Sequence, residues 1–149
     1  MIIIEKIIAD GGVQRSLKRD VLQLDWENRQ KSRQRMKTRA GRELGLALPT
    51  GTSLFPGDVL YRDSEVEIVV EGIPEKVFIL CFQSQQEYGL ACYQIGNLHR
   101  PIALHDGAVF IPYEPVLEEK LSRLGFDYTI DVRIFTHAVR RPGGHAHVH

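Results

Sequence analysis

The second half of the chain carries an ordered succession of strand and helix patterns, and this order constrains the fold more than any other feature. The run KVFILCF, residues 76–82, is apolar throughout and predicts a strand. Ser84 and Glu87 follow at the spacing of a capping box, so a helix is expected to begin at about residue 85. Residues at i, i+3, i+4 and i+7 form its apolar side: Tyr88, Ala91, Cys92 and Ile95. Gly96 suits the left-handed residue that ends many helices, so this helix is expected to stop there.

Beyond this helix the chain predicts a hairpin, a second helix and a last strand. Apolar runs flank HDG, residues 105–107, which is a turn sequence typical of two-stranded hairpins. Pro115 suits the first turn of a helix that ends at Gly125 and carries three leucines on one side, namely Leu117, Leu121 and Leu124. DYTIDVRIF alternates and predicts a strand. The order βαββαβ is that of a ferredoxin-like domain, in which two helices cover one face of an antiparallel sheet.

The first half of the chain predicts short strands and no helix. Apolar or alternating runs are separated by Gly, Pro, Asp and Ser, and they are MIIIEKII, DVLQLDWE, ELGLALPTG, GDVLYRD and VEIVVEG. The pattern changes around EGIPEK, residues 71–76. We therefore predict an α+β protein with a β-rich N-terminal domain at 1–73, a ferredoxin-like C-terminal domain at 74–140 and a flexible histidine-containing tail at 141–149.

Charge and composition exclude several classes of protein. Lys plus Arg equals Asp plus Glu at 19 each, so attraction to nucleic acid or to an anionic membrane would have to be local. Glu5 and Lys6 interrupt the apolar start before a signal peptide or a membrane span can form, so a cytoplasmic protein with no membrane partner is expected. Cys81 and Cys92 form no CxxC pair and are predicted to be reduced thiols in the core.

The sequence contains none of the motifs that commonly indicate an enzyme. It has no phosphate-binding glycine loop, no GxSxG and no HExxH. A hydrolase that uses His99 and Asp106 is a weak hypothesis, because no nucleophile is paired with them. A protein without catalytic activity is therefore expected.

One stretch, RQKSRQRMKTRAGR at residues 29–42, is basic and has no acidic residue. Its seven cations are Arg29, Lys31, Arg33, Arg35, Lys37, Arg39 and Arg42. The first six alternate, so in a strand they would all project from one face. This pattern fits either a solvated surface or a docking stripe for an acidic partner.

The partner of such a stripe could be a protein or a nucleic acid. No aromatic residue is interleaved with the cations to stack on bases, since Trp26 lies outside the stretch. Protein docking is therefore the preferred interpretation, and a nucleic-acid-binding module using residues 29–42 is the alternative.

Histidines provide the second candidate feature. Three of the six occupy alternate positions in the last five residues: His145, His147 and His149. Imidazole nitrogen binds borderline metals such as Ni²⁺, Cu²⁺, Zn²⁺ and Co²⁺, and alternate residues of an extended chain project to one side. The preceding diglycine, Gly143 and Gly144, lets this segment bend around an ion. The tail is therefore predicted to bind metal.

The remaining histidines stand in different settings. His99 follows the predicted helix end in GNLHRP, where a histidine could act simply as a cation that interacts favourably with the helix dipole. His105 in the hairpin and His137 before the tail are interpreted as ordinary exposed residues.

Taken together, these segments resemble the UreE family of urease accessory proteins, which are nickel metallochaperones. DWENRQKSRQRMKTRAGRELGLALPTGTSLFPGDVLY is similar to the family's N-terminal domain. YGLACYQIGNLHRPIAL is similar to its most specific segment, approximately A-Y-x-x-G-N-x-H-x-P, and the histidine-bearing tail fits as well. The resemblance covers nearly the whole chain.

The resemblance implies a partner- or peptide-binding N-terminal domain and a metal-binding C-terminal domain through which two chains form a homodimer. It places the metal ligand on His99, contributed by both protomers, with His145, His147 and His149 completing or supplying the site. The cargo would be Ni(II), delivered to apo-urease together with the other accessory proteins, including the GTPase. Zn(II) or Cu(II) can bind the same ligands. A metal-linked dimer of dimers is a further possibility, and no nucleic acid is implied.

Overall fold

The computed structural model describes residues 1–9 and 16–136. The chain divides into two compact units at the junction of Ile73 and Pro74. The predicted tail and His137 lie outside the described residues.

The N-terminal unit is built from short strands, as its sequence predicts. Its elements are β1 (Ile2–Ile4), β2 (Lys18–Leu24), α1 (Trp26–Arg29), β3 (Arg33–Lys37), β4 (Glu43–Ala47), β5 (Val59–Arg62) and β6 (Val66–Gly72). They form two three-stranded sheets, ordered β1-β4-β3 and β2-β6-β5. β1 pairs with β4 and β2 pairs with β6 in parallel, whereas β3 and β5 join their neighbours antiparallel.

The core of this unit lies between its sheets. Apolar side chains from both sheets and from the following loops contribute to it, with Ile4, Leu22, Leu24, Leu44, Leu46, Leu48, Leu54, Leu60, Ile68 and Val70 all buried. β4 has one exposed side, but alternation along the strand allows it to contribute to the core. Leu44 and Leu46 point inward, whereas Glu43 is exposed.

A short helix interrupts the predicted run of strands. The segment DVLQLDWE was expected to be one strand, but β2 ends at Leu24 and α1 begins at Trp26. The Asp25 carboxylate caps α1 by accepting a hydrogen bond from the Asn28 amide at 2.8 Å. Four residues are too few to produce a helical period, so the sequence prediction of strands alone was wrong here.

The C-terminal unit has the predicted ferredoxin-like order. Its elements are β7 (Glu75–Cys81), α2 (Gln85–Gly96), β8 (Ala103–His105), β9 (Ala108–Pro112), α3 (Pro115–Arg123) and β10 (Thr129–Arg133). The strands form one antiparallel sheet in the order β10-β7-β9-β8. The α+β fold class is therefore confirmed.

Both long helices pack against one face of this sheet. The shared core comprises Phe78 and Leu80 from β7, Ala91 and Ile95 from α2, Val109 and Ile111 from β9, and Leu117 and Leu121 from α3. Tyr88 and Cys92 of the predicted helical stripe are half-buried beside it. The apolar sides that the sequence assigned to both helices thus face the sheet, except that Leu124 follows the end of α3 and is exposed.

Local signals define the ends of these helices. The Ser84 hydroxyl accepts a hydrogen bond from the Glu87 amide at 3.2 Å, as in a capping box. The Glu87 carboxylate accepts a hydrogen bond from the Gln83 amide at 3.3 Å, whereas in a complete capping box it would accept from the Ser84 amide. α3 ends at Arg123 and is followed by Gly125 at φ +80°, and the Phe126 amide donates back to the Leu121 carbonyl at 3.0 Å.

Candidate metal site

The chain reverses direction three residues after α2. Gly96 was predicted to be the left-handed residue that ends this helix, but it remains helical and Asn97 caps the helix in right-handed geometry. Tighter hydrogen bonds follow, from the Leu98 amide to the Ile95 carbonyl and from the His99 amide to the Gly96 carbonyl, both at 3.0 Å. The left-handed residue is His99, with φ +55°.

This conformation is unusual for a residue that has a side chain. A positive φ brings Cβ close to backbone atoms and typically costs on the order of 1–2 kcal/mol, although histidine is among the residues enriched there. Glycine would remove that cost, and the sequence nevertheless has an imidazole at this position. Such a residue is a candidate for function because its side chain is placed at the expense of backbone strain.

Neighbouring residues fix the segment on both sides of His99. Leu98 and Ile102 pack, partly buried, against the core of the C-terminal unit. The Arg100 guanidinium forms an ion pair of 2.8 Å with the Glu114 carboxylate, at the start of α3. The His99 side chain between them is exposed to solvent. The fold therefore holds the residues on both sides of His99 in place and leaves the imidazole itself exposed.

The electrostatic setting of His99 favours a cation. The last turn of α2 contains no basic residue to offset the partial negative charge of the terminal carbonyl groups. A cation at this end of the helix, such as a metal ion held by the imidazole, would benefit from that charge. The helix-dipole interpretation and the ligand interpretation are thus both compatible with this end of the helix.

His99 is the sole member of its predicted ligand set that the described residues contain. His145, His147 and His149 lie outside them. Within the described residues, no group of three or more His, Cys, Asp or Glu side chains is arranged to hold a metal ion. The described residues of one chain therefore supply His99 alone of this set, which is too few ligands for a stable site.

The other thiol and imidazole groups do not add to this site. His105 is the last residue of β8, and its Nε2 lies 3.4 Å from the carboxylate of Asp106 in the β8–β9 turn. Burial raises the pKa of the Cys92 thiol, which disfavours the thiolate form that binds metals. Cys81 is exposed near the end of β7, so its predicted place in the core was wrong. The strand pattern of KVFILCF could not show that Cys81 falls on the sheet face away from the helices.

Apolar side chains missed by the sequence reasoning are exposed on the helices near this loop. Leu90 and Tyr93 share one side of α2 and are 57% and 72% exposed. Val116, in the first turn of α3, is 57% exposed. Exposed apolar residues on adjacent helices are typical of surfaces that contact another protein. Leu90 and Tyr93 could have been noticed because they are apolar but lie off the stripe of Tyr88, Ala91, Cys92 and Ile95.

The basic stretch is divided by the fold. Only Arg33, Arg35 and Lys37 lie in β3 and project from one face of it, as the alternation predicts. The prediction was wrong for Arg29, which is buried at the end of α1, because charge patterns alone do not reveal burial. Two others form intramolecular ion pairs, Arg39 with Glu71 at 3.2 Å and Arg42 with Asp20 at 2.7 Å.

The Asp20 carboxylate organises the turn that follows β3. It is buried and accepts hydrogen bonds from the Thr38 hydroxyl, the Arg42 guanidinium and the Ala40 amide. Burial raises the pKa of Asp20, but these hydrogen bonds outweigh that effect and hold it below its usual value. Arg42 therefore has a structural partner and is not part of a free basic surface.

Comparison with protein families gives two matches that together span most of the chain. Residues 3–71 match the N-terminal domain of the UreE urease accessory protein family. Residues 75–149 match the C-terminal domain of the same family.

Individual proteins agree with these domain matches. The Urease accessory protein UreE of Synechococcus sp. (strain JA-3-3Ab) is 38% identical over 138 residues, which cover 93% of this chain and 91% of that protein. Its counterpart in Geobacillus kaustophilus is 36% identical, with 76% of each chain covered. The protein of the same name in Deinococcus radiodurans is 37% identical, with 72% and 70% covered.

Proposed function

The chain belongs to the UreE family of urease accessory proteins, and from that membership we propose that it is a nickel metallochaperone. It binds Ni(II) as cargo and delivers it to apo-urease during urease maturation. The observation that carries this proposal is the placement of His99, an exposed imidazole held at positive φ beyond α2 within the segment GNLHRP. The chain acts as an accessory protein and not as an enzyme.

Two chains build the metal site. Among the described residues of each C-terminal unit, His99 is the one predicted ligand, and a two-fold axis beside this residue would bring two imidazoles to one ion. His145, His147 and His149 add further nitrogen ligands from the tail. Ni(II) then has at least two fixed imidazoles and several that can exchange, which suits a carrier that must release its ion.

The dimer surface is proposed to lie on the helices next to His99. Leu90, Tyr93 and Val116 expose apolar area that a second copy would bury, and a two-fold contact uses the same patch from each chain. Residues 74–140 thus serve as the metal-binding and dimerisation domain, residues 1–73 as the partner-binding domain, and residues 141–149 as the histidine-containing tail. A metal ion shared by tails of different dimers would link a dimer of dimers.

Selectivity for nickel does not come from imidazole ligands alone. Cu(II) binds nitrogen ligands more tightly and Zn(II) comparably, so both can occupy the same site. Nickel loading would instead be set by supply and by partner proteins, which are apo-urease and the other urease accessory proteins, including the GTPase. Delivery to them is proposed to occur in the cytoplasm. Along the described residues, no helix has both the length and the apolar character needed to span a membrane.

Reconstituted urease activation tests this function. Apo-urease and the other accessory proteins are incubated at limiting nickel, with or without this chain, and urea hydrolysis is then measured. The parent protein should raise the yield of active urease, and His99→Ala should raise it much less at the same concentration. Equal activation by both proteins, or none by the parent, would contradict the proposal.

A further inference from the structure

We propose that the outer face of the β1-β4-β3 sheet is a docking surface for a partner protein that presents acidic side chains beside apolar ones. The proposal rests on the proposed function only for the choice of partner, a protein of the urease maturation machinery. The surface itself belongs to the N-terminal unit and includes no residue of the candidate metal site. It is called the docking face below and comprises Met1, Ile3, Arg33, Arg35, Lys37, Glu43, Gly45 and Ala47.

Strand register places these residues on one side of the sheet. Ile3 on β1 is paired with Gly45 on β4, and Gly45 is paired with Arg35 on β3. Alternation along each strand adds the residues two positions away, so Arg33 and Lys37 share this side with Arg35. The opposite side carries Leu44 and Leu46, which are buried in the core. The docking face is thus the side of the sheet that the core does not use.

An apolar ridge crosses one half of the docking face. Ile3 and Met1 are 53% and 61% exposed. A Cβ atom at Gly45 would lie 3.0 Å from Ile3 Cδ1 and 3.5 Å from Met1 Cε, so both side chains lie over the bare backbone of Gly45. An open cavity of about 250 Å³ adjoins Met1 and is lined by Met1, Arg35, Met36, Lys37, Glu43 and Leu44. Exposed apolar groups beside a cavity favour contact with apolar groups of a partner.

A row of cations forms the other half. Among the described residues, neither Arg33 nor Arg35 has an ion-pair partner, in contrast with Arg39 and Arg42 of the same basic stretch. Lys37 stands opposite Glu43 in the register, so one carboxylate offsets part of the charge at that end. The positive charge therefore concentrates at Arg33 and Arg35, where planar guanidinium groups are suited to bidentate bonds with carboxylates.

The combination of cations and apolar groups favours a protein over a nucleic acid. A phosphate backbone would neutralise the arginines but would leave Ile3 and Met1 in contact with water. A protein segment with Asp or Glu next to Leu, Val or Phe would satisfy both halves of the docking face at once. An acidic protein surface with apolar residues is therefore the occupant to which this proposal commits.

Binding assays with matched variants test the proposal. The probes are purified apo-urease, each of the other accessory proteins, and a DNA duplex, measured by biolayer interferometry at two salt concentrations. Arg33→Glu with Arg35→Glu reverses the charged half, and Ile3→Ser removes the apolar half. Lys18→Glu with Arg19→Glu is the control, because both residues are exposed cations on the other sheet of the same unit. Circular dichroism and nickel titration of every variant show whether folding and metal binding are intact.

The charge reversal should weaken association with at least one of these proteins by about tenfold or more, since close charge pairs dominate such contacts. Ile3→Ser should weaken it by about threefold to tenfold, and the control should stay within about twofold of the parent. Partner binding should also shift the methyl signal of Met1 more than that of Met36, which packs partly against the core. All variants should bind nickel as the parent does.

Three results would overturn the proposal. One is an equal loss of protein-binding affinity in the charge-reversal and control variants. Another is a charge-reversal variant that loses DNA binding and keeps protein binding. The third is a parent protein that binds none of the protein probes. Because nickel titration is recorded in the same samples, failure of the docking face is distinguishable from failure of the proposed metal function.

Discussion

Two loops of the C-terminal unit hold a residue with a side chain at positive φ, and they do so for different reasons. Asp106 has φ +46° and is followed by Gly107 at φ +77° in the β8–β9 hairpin. Two-residue hairpin loops of this kind require positive φ at both positions, and aspartate tolerates it well. The conformation of Asp106 therefore follows from its turn.

The loop of His99 is a helix end, where glycine or asparagine usually occupies the left-handed position, and here the residue is histidine. It connects α2 to β8 through residues 97–102, and Gly96 just before it stays helical. Among the described residues, the His99 imidazole has no hydrogen bond or ion pair, whereas His105 lies beside Asp106. The comparison indicates that the left-handed position at the helix end, which holds an imidazole instead of glycine or asparagine, is the better candidate for function. It also ranks His99 above His105 as a ligand, although both are exposed.

The largest expected effect is the difference in nickel affinity between substitutions of these two histidines. His99→Ala should lower nickel affinity by more than about a hundredfold, because a shared ion loses one ligand from each protomer. His105→Ala should stay within about twofold of the parent. Isothermal titration calorimetry with Ni(II) gives both values. Similar losses in the two variants would remove the distinction between the loops.

Truncation after Pro142 should have the next largest effect. It removes His145, His147 and His149 and no residue of either described core, so nickel affinity or stoichiometry should fall while the urea midpoint stays unchanged. The expected loss of affinity is about tenfold, smaller than that of His99→Ala. Calorimetric titrations that superimpose for truncated and full-length protein would exclude the tail as a ligand source.

Glu114→Gln tests whether the loop must be held to bind metal. The substitution weakens the ion pair with Arg100 and leaves the guanidinium charge next to His99 without its neighbouring carboxylate. Looser positioning and greater repulsion of a divalent cation both predict lower nickel affinity, by about threefold to tenfold. Glu119→Gln is the control, since Glu119 pairs with Arg123 on the same helix, away from the loop. An identical loss of nickel affinity in both variants would mean that α3 affects metal binding only through its overall charge and not by holding the loop.

The smallest effect concerns stability. At His99, glycine and asparagine tolerate positive φ better than alanine, so His99→Gly and His99→Asn should be more stable than His99→Ala by about 1 kcal/mol. Urea denaturation of the three variants measures the difference. His105→Gly should instead be less stable than His105→Ala, because His105 ends a strand and its φ is not positive. Equal stability of the three His99 variants would show that the loop is not strained.

Local signals explain how much of the fold could be predicted from the sequence. The capping residue Ser84, the turn pair Asp106 and Gly107, and the α3 boundaries Pro115 and Gly125 each act over a few residues, so their positions could be read in order. That order was sufficient for the ferredoxin-like arrangement.

Tertiary contacts explain what the sequence could not reveal. The reversal at His99, rather than at Gly96, accompanies the packing of Leu98 and Ile102 against the core, which no local rule includes. The burial of Arg29 is likewise invisible in a basic run. The candidate site was predictable as far as His99 itself, and its anchoring by Arg100 and Glu114 was not, because those residues meet only through the fold.

The central claim is that two chains share one ion through His99, and the stoichiometry of the tightest nickel-binding phase tests it most directly. Full-length parent and His99→Ala are titrated with Ni(II) while light scattering records their mass. The account predicts one tightly bound ion per two parent chains, with nickel favouring the dimer by mass action, and loss of that phase in His99→Ala. One ion per chain on a monomer, or an unchanged tight phase in His99→Ala, would contradict it.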